Sequence, residues 1–317
     1  MNARILSTAT LAVAFAVVLP AKAADPQLLN LVMPDAEVLA GVNVDQAKTS
    51  PFGQYVLSLM QSHDADMQKL IALTGFDPTR DVDELLAASN GTPNTGLVLA
   101  RGTFDAAKIA AAAVAGGGTT ETYGSATIIE GPKQTHGVAF LNSGTVAVAG
   151  DLANVKAAID RQTAPAPLAA AVIVQVNQWS GTTEDAWVIT TVPPSSLHPP
   201  SNAPNVPGAN GQGVFQTIQS VAGGVKFGAT VVITGQAIAD NAQDATNTAG
   251  ALQLLASLAQ MQATQDPNAA QLAQALTVTT QGSTVNVTLS LTEDQLQQIL
   301  QSSKPNATKS ARPARPR

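Results

Sequence analysis

The chain has no cysteine, three histidines and few aromatics, and each shortage removes a class of function. Without cysteine there is neither a disulfide framework nor a lipid-modified N-terminal cysteine, so stability must come from an ordinary core. His63, His136 and His198 stand too far apart for the paired-histidine motif of metalloproteases. Aromatic residues make up 3% of the chain and none follows Phe227, leaving little with which to stack sugars or single-stranded nucleic acid. Apolar runs are short as well. None offers the roughly 20 residues that a membrane-spanning helix needs, so no integral membrane span is expected.

What is present begins with an address. Arg4, an apolar stretch over 5–19 and the small-x-small triplet Ala21-Lys22-Ala23 have the form of an export signal cleaved before Ala24, which predicts a periplasmic or extracellular protein. Beyond residue 23 the chain carries 22 acidic residues and fewer basic ones, and five of the latter (Lys304, Lys309, Arg312, Arg315, Arg317) crowd into the last positions. An acidic body repels nucleic acid, so a polyanion is expected to engage the basic tail alone. The tail, 304–317, has nothing to bury and is read as disordered.

Between these ends the pattern alternates strands with helices. Val38, Ala40, Val42 and Val44 recur at the two-residue period of a half-buried strand. Ser50-Pro51 is a helix start, a second helical stretch covers 66–73, and Asp77-Pro78 leads into a short helix expected over 82–88. Residues 97–100 form a strand. Asp105 then caps an alanine-rich helix with Phe104 and Ile109 at staple spacing, and Gly116-Gly117-Gly118 ends it. Short strands follow over 119–123, 126–130, 137–141 and 145–149, closed by a helix that Asp151 caps. The second half repeats this order more loosely. It has a stretch over 168–176 that is ambiguous by period and whose alanines favour helix, a strand over 186–191, a Pro-rich loop over 193–213, a short helix over 214–221 and a strand over 230–235. A long helix over 240–262, a hairpin over 277–291 and a last helix with a Thr292/Gln295 capping box complete it. The sequence therefore predicts an α+β fold of internally duplicated strand-helix-hairpin-helix units, with largely antiparallel sheets packed by helices. The expected division is a signal peptide (1–23), an N-terminal half (24–163), a C-terminal half (164–303) and the tail.

No catalytic, cofactor-binding or metal residue is assigned from the sequence. His63-Asp64-Ala65-Asp66 is the best local metal candidate, yet its position between two helical patterns suits a helix start, where acidic residues are favourable. Asp77, Asp81, Asp83 and Glu84 are the densest carboxylates, but the central glycine and distal glutamate of a calcium loop are missing. Neither a Gly-x-Ser-x-Gly elbow nor a phosphate-binding loop occurs. Asn90, Asn286 and Asn306 match the glycosylation triplet, a motif short enough to arise by chance.

Met33-Pro34-Asp35-Ala36, Gly41-Val42-Asn43-Val44, Ser50-Pro51-Phe52-Gly53 and Thr74-Gly75-Phe76-Asp77-Pro78 resemble recurrent segments of uncharacterised secreted bacterial proteins with a duplicated α+β domain of unknown function. The resemblance implies a fold and no activity. Two functions are weighed on this basis. One is an exported, non-catalytic binding or scaffolding module with a protein or envelope component as partner and no cofactor. The other is a secreted hydrolase whose site forms only in the fold, and its mark would be a concave pocket holding His136 or His63 within hydrogen-bond reach of a carboxylate or hydroxyl.

Overall fold

Strand β1 (Val38–Asn43) carries apolar side chains at both parities, with Leu39 fully buried on one face and Val38, Ala40 and Val42 on the other. Such a strand needs cover on both sides. The computed structural model describes residues 24–63, 65–92, 95–131, 134–193, 216–261 and 267–302 and places β1 inside a twelve-stranded sheet with helices on both faces. Every pairing in the sheet is antiparallel.

To one side of β1 lie β2 (Val82–Ser89), β3 (Leu97–Gly102), β7 (Val146–Asp151), β6 (His136–Leu141), β5 (Ala126–Glu130) and β4 (Thr119–Tyr123). To the other lie β8 (Ala186–Thr190), β9 (Ile218–Lys226), β10 (Thr230–Ala239), β12 (Thr284–Thr292) and β11 (Leu276–Gln281). The two wings are wired alike about the β1–β8 pair. In each, three successive strands are followed by helix and then by an antiparallel meander whose last strand returns beside the third: the four strands β4 to β7 in one wing, with β7 beside β3, and only the pair β11 and β12 in the other, with β12 beside β10. A closing helix ends each wing, α7 (Leu152–Arg161) and α11 (Glu293–Ser302).

The main core lies on the Leu39 face. Leu86, Leu99 and Val148 line up across three strands, with Leu39 one same-face step along β1 opposite Ala88, beneath Leu28 of α1 (Pro26–Leu29), Val155 of α7 and Val176 of α8 (Ala170–Ser180). Arg161, largely buried, donates from Nε and Nη2 to the Leu31 carbonyl at 3.0 and 2.9 Å and ties α7 to the turn after α1. On the opposite face, α6 (Ala106–Ala115) closes a small cluster of Phe104, Ala100, Val82 and Phe140, and α9 (Ala242–Met261) closes another with Ala245 and Ala249 on Ile218 and Val285. Further on this face, α10 (Pro267–Ala275) packs against α9. Four helices intervene between β1 and β2: α2 (Val44–Ala47), α3 (Pro51–His63), α4 (Ala65–Thr74) and α5 (Pro78–Asp81).

Several sequence expectations appear as hydrogen bonds. Ser50 Oγ accepts from the Gly53 amide, Asp105 from Lys108, Asp151 from Asn154, and Thr292 and Gln295 cap each other reciprocally. Two helices expected from composition are strands instead. Residues 82–88, rich in helix formers, form β2 because they pair on both sides with β1 and β3 and alternate in burial. The helix expected over 214–221 gives way to β9, held between β8 and β10, with Gly224 making room for the Glu184 side chain. In both, tertiary pairing overrides local propensity. The expected signal over 1–23, the tail 304–317 and all but Pro193 of the 193–213 stretch lie outside the described residues. Among those described, no helix is long and apolar enough to cross a membrane.

Candidate functional site

Where β1, β2 and β8 present Val42, Leu85 and Ala186 on the face opposite the main core, the helices between β1 and β2 arch over the sheet and leave a cavity of about 330 Å³. The arch has identifiable causes. Asn43 caps α2 through the Gln46 amide, and Ser50 caps α3 while donating to the Ala47 carbonyl at 2.8 Å, which fixes a tight corner. Gly53 is required there because a Cβ would strike that same carbonyl. Leu57 of α3, Pro78 of α5 and Phe227 complete the wall, and Phe227 is held by Phe52 with ring centroids 5.3 Å apart.

The cavity surface is almost wholly apolar. Among the described residues its one charged neighbour is Lys48, whose ammonium turns away to donate to the Val82 carbonyl at 2.8 Å and reaches toward Asp45 at 3.5 Å, so that its alkyl stem is what faces inward. Thr79 is turned outward too, its hydroxyl donating to Asp77 at 2.7 Å. A lining of this composition suits an apolar group better than a polar reacting one.

A second, more open cavity of about 820 Å³ lies beside β5 and β6 and carries His136 on its rim. Thr135 Oγ1 stands 2.9 Å from His136 Nδ1, so a hydroxyl does meet a histidine here. Both are exposed, and the carboxylates nearby are committed elsewhere. Asp151, across the strand pair from His136, accepts from the Asn154 amide, the Asn154 side chain and the Gly96 amide. Burial alone would raise the Asp151 carboxyl, but these donors outweigh it and hold it below the usual range. Glu130 alternates onto the other face, where Lys156 bonds Glu121 at 2.8 Å and holds the Glu121 carboxyl low. Tyr123 donates to Asp160 there, under the Lys156 ammonium.

Of the carboxylates singled out in the sequence, Asp77 caps α5 through the Thr79 amide, and Asp81 is paired with Arg80, whose hydrogen bond lowers its carboxyl. Asp83 and Glu84 lie on β2 rather than at a helix start. They flank Arg101, and Glu84 also accepts from the Asp25 amide at 3.0 Å. Among the described residues no three metal-ligating side chains converge. His198, Asp64, the side chains of His63, Ala65 and Asp66 and the five basic tail residues lie outside them.

No family model and no curated protein matches the chain. Solved structures do. One crystal form of TP0453 (form III) is similar over 86% of this chain and 97% of its own, at 11% identity and a TM-score of 0.54. Form I aligns over 88% and 98% at 10% identity, with a TM-score of 0.49. At such identity the likeness to form III concerns the fold alone: a large antiparallel sheet with helices, of the α+β class.

Proposed function

We propose that the protein is an exported, non-catalytic binding module whose ligand is apolar and sits in the cavity between the α2–α5 arch and strands β1, β2 and β8. The observation that carries this reading is the lining: a cavity of about 330 Å³ whose neighbouring polar groups all turn outward. At about 30 Å³ per water-sized group it takes roughly ten methylenes. Burying these at about 0.8 kcal/mol each gives about 8 kcal/mol gross, and an association cost of about 4 kcal/mol leaves a dissociation constant on the order of a millimolar. The export signal supports an envelope or extracellular setting, where acyl-bearing molecules abound. The matching order of elements in the two wings supports an internal duplication, with the arch of helices as the part of the first wing that creates the pocket.

The test is titration with a neutral apolar fluorophore such as N-phenylnaphthylamine, displaced by decanol. One saturable site, abolished by Ala186→Phe at the cavity floor and by Ala47→Leu at its roof, is the expected result. Probe binding unchanged in both folded variants would refute it.

A hydrolase reading keeps one favourable observation, the Thr135–His136 contact on the rim of the second cavity. Ester hydrolysis by the purified protein that is lost in both Thr135→Val and His136→Gln would replace the binding reading. The basic tail is proposed as a weak contact to anionic envelope surfaces. Salt-insensitive envelope fractionation that survives deletion of residues 304–317 would contradict it.

A further inference from the structure

The face of the sheet that floors the cavity does not end at the cavity. One same-face step along the strands from Val42, Leu85 and Ala186 come Ala40, Ala87 and Val188, and across from Ala87 stands Val98 of β3. Val38 follows Ala40 at the next step. Two of these residues are unusual for a sheet packed by helices elsewhere, since Val98 is 49% and Val188 45% exposed. The pairings set alanine beside alanine (Ala40 opposite Ala87) between these two valines, a low apolar floor with higher sides. Val38, Ala40, Ala87 and Val98 line a shallow depression there, which runs on past Val98 to Ala149 and Gly150 of β7 and does not reach Val188. From Val42 to Val38 is four residues, or about 13 Å at about 3.3 Å per residue.

We propose that this furrow and the cavity form one elongated site and that its ligand is a single long acyl chain, one part enclosed under the arch and the remainder laid over Ala40 and Ala87. This rests on the binding function above and deepens it by naming the ligand's shape. Continuity of the floor is the argument for a chain rather than a compact ligand, because a compact hydrocarbon would fill the cavity and leave Val98 and Val188 in water. Adjoining apolar surface is gained only by something narrow and long.

The experiment is a chain-length series of lysophosphatidylcholines, from the decanoyl to the octadecanoyl ester, below their micellar concentrations. Their zwitterionic head keeps the protein's acidic charge out of the comparison. A methylene that is fully buried tightens binding about fourfold, and one lying in an open furrow about twofold. The wild-type protein is expected to gain about sixty-fold between the decanoyl and hexadecanoyl esters, six methylenes at about twofold each. Ala87→Gln, an exposed substitution on the furrow floor, should cancel most of that gain and leave the decanoyl ester unaffected. Ala40→Gln should repeat the pattern. A plateau at the decanoyl ester in the wild type, or an equal loss at every length in Ala87→Gln, would overturn the furrow while leaving the cavity reading intact. Failure of every ester to bind would refute the cavity reading itself, and the furrow with it.

Discussion

Gly41→Ala tests the seam on which the architecture depends, the pairing of β1 with β8. Gly41 lies opposite Trp187, and an added Cβ would stand 2.5 Å from Trp187 Cζ2. Ordinary carbon–carbon contact is about 3.5–4.0 Å, so the overlap exceeds 1 Å roughly, against a rigid, largely buried ring. Overpacking of this kind costs about 1–3 kcal/mol, and a ring that cannot fold away belongs at the upper end. Loss of glycine's freedom in the unfolded chain returns about 0.4–1 kcal/mol, so the net destabilisation should be about 2 kcal/mol. Trp187→Leu removes the obstruction while costing about 3 kcal/mol of its own as a large-to-small core change. In the double variant Gly41→Ala then becomes nearly neutral, a coupling of about 2 kcal/mol. Urea unfolding followed by far-ultraviolet dichroism measures each corner of the cycle, with tryptophan fluorescence, from Trp179 alone in the two Trp187→Leu corners, as a second probe. Strict additivity, or a Gly41→Ala variant as stable as the wild type, would refute the β1–β8 register.

Three further outcomes are expected. Glu184 packs its Cγ over Gly224, and its Oε2 is buried without a hydrogen-bond partner among the described residues. Burial pushes its carboxyl up, with the Thr234 hydroxyl and Lys226 pulling back. The folded protein thus holds this proton more tightly than the unfolded chain, and the contribution favours the fold at low pH and is lost as pH rises through the glutamate range to the raised folded value. Glu184→Gln should accordingly match the wild type at low pH and exceed its stability at neutral pH in paired denaturant titrations; an identical pH dependence would contradict this. For Asp151 the sign reverses: its lowered carboxyl stabilises the fold above the ordinary aspartate value, about 3.9, and that stability is lost as pH falls through the folded value. Asp151→Ala should cost about 1 kcal/mol at neutral pH through the lost cap, with the difference shrinking in acid. Mass spectrometry of the exported protein should find Ala24 as its first residue, and an intact N-terminus would contradict the export signal.

Much of the local structure was legible because its causes are local. Ser50, Asp105, Asp151 and the Thr292/Gln295 pair cap the helices that they precede in the sequence, and the hairpin over 277–291 forms β11 and β12. Residues 82–88 were misleading because Asp-Glu-Leu-Leu-Ala-Ala is good helix sequence, and only pairing with β1 and β3 makes it a strand. The candidate site was half visible. The alternation of Val38, Ala40 and Val42 marked a buried face, yet the fully buried side chain of β1 is Leu39, on the other parity, and the alternating residues line the cavity and the furrow. A strand apolar at both parities was the available signal for a second apolar layer. Ala186 and Phe227 could not be foreseen, because β8 and the turn after β9 reach the site through the β1–β8 pairing, across more than a hundred residues of chain.

The central claim is that the cavity under the arch binds a hydrocarbon, and calorimetric titration of decanol at two or more temperatures tests it most directly. The account predicts one site per chain with a negative heat-capacity change, the mark of apolar burial, and no binding heat in folded Ala186→Phe. Equal heats in the two proteins, or no saturable heat in the wild type, would contradict it.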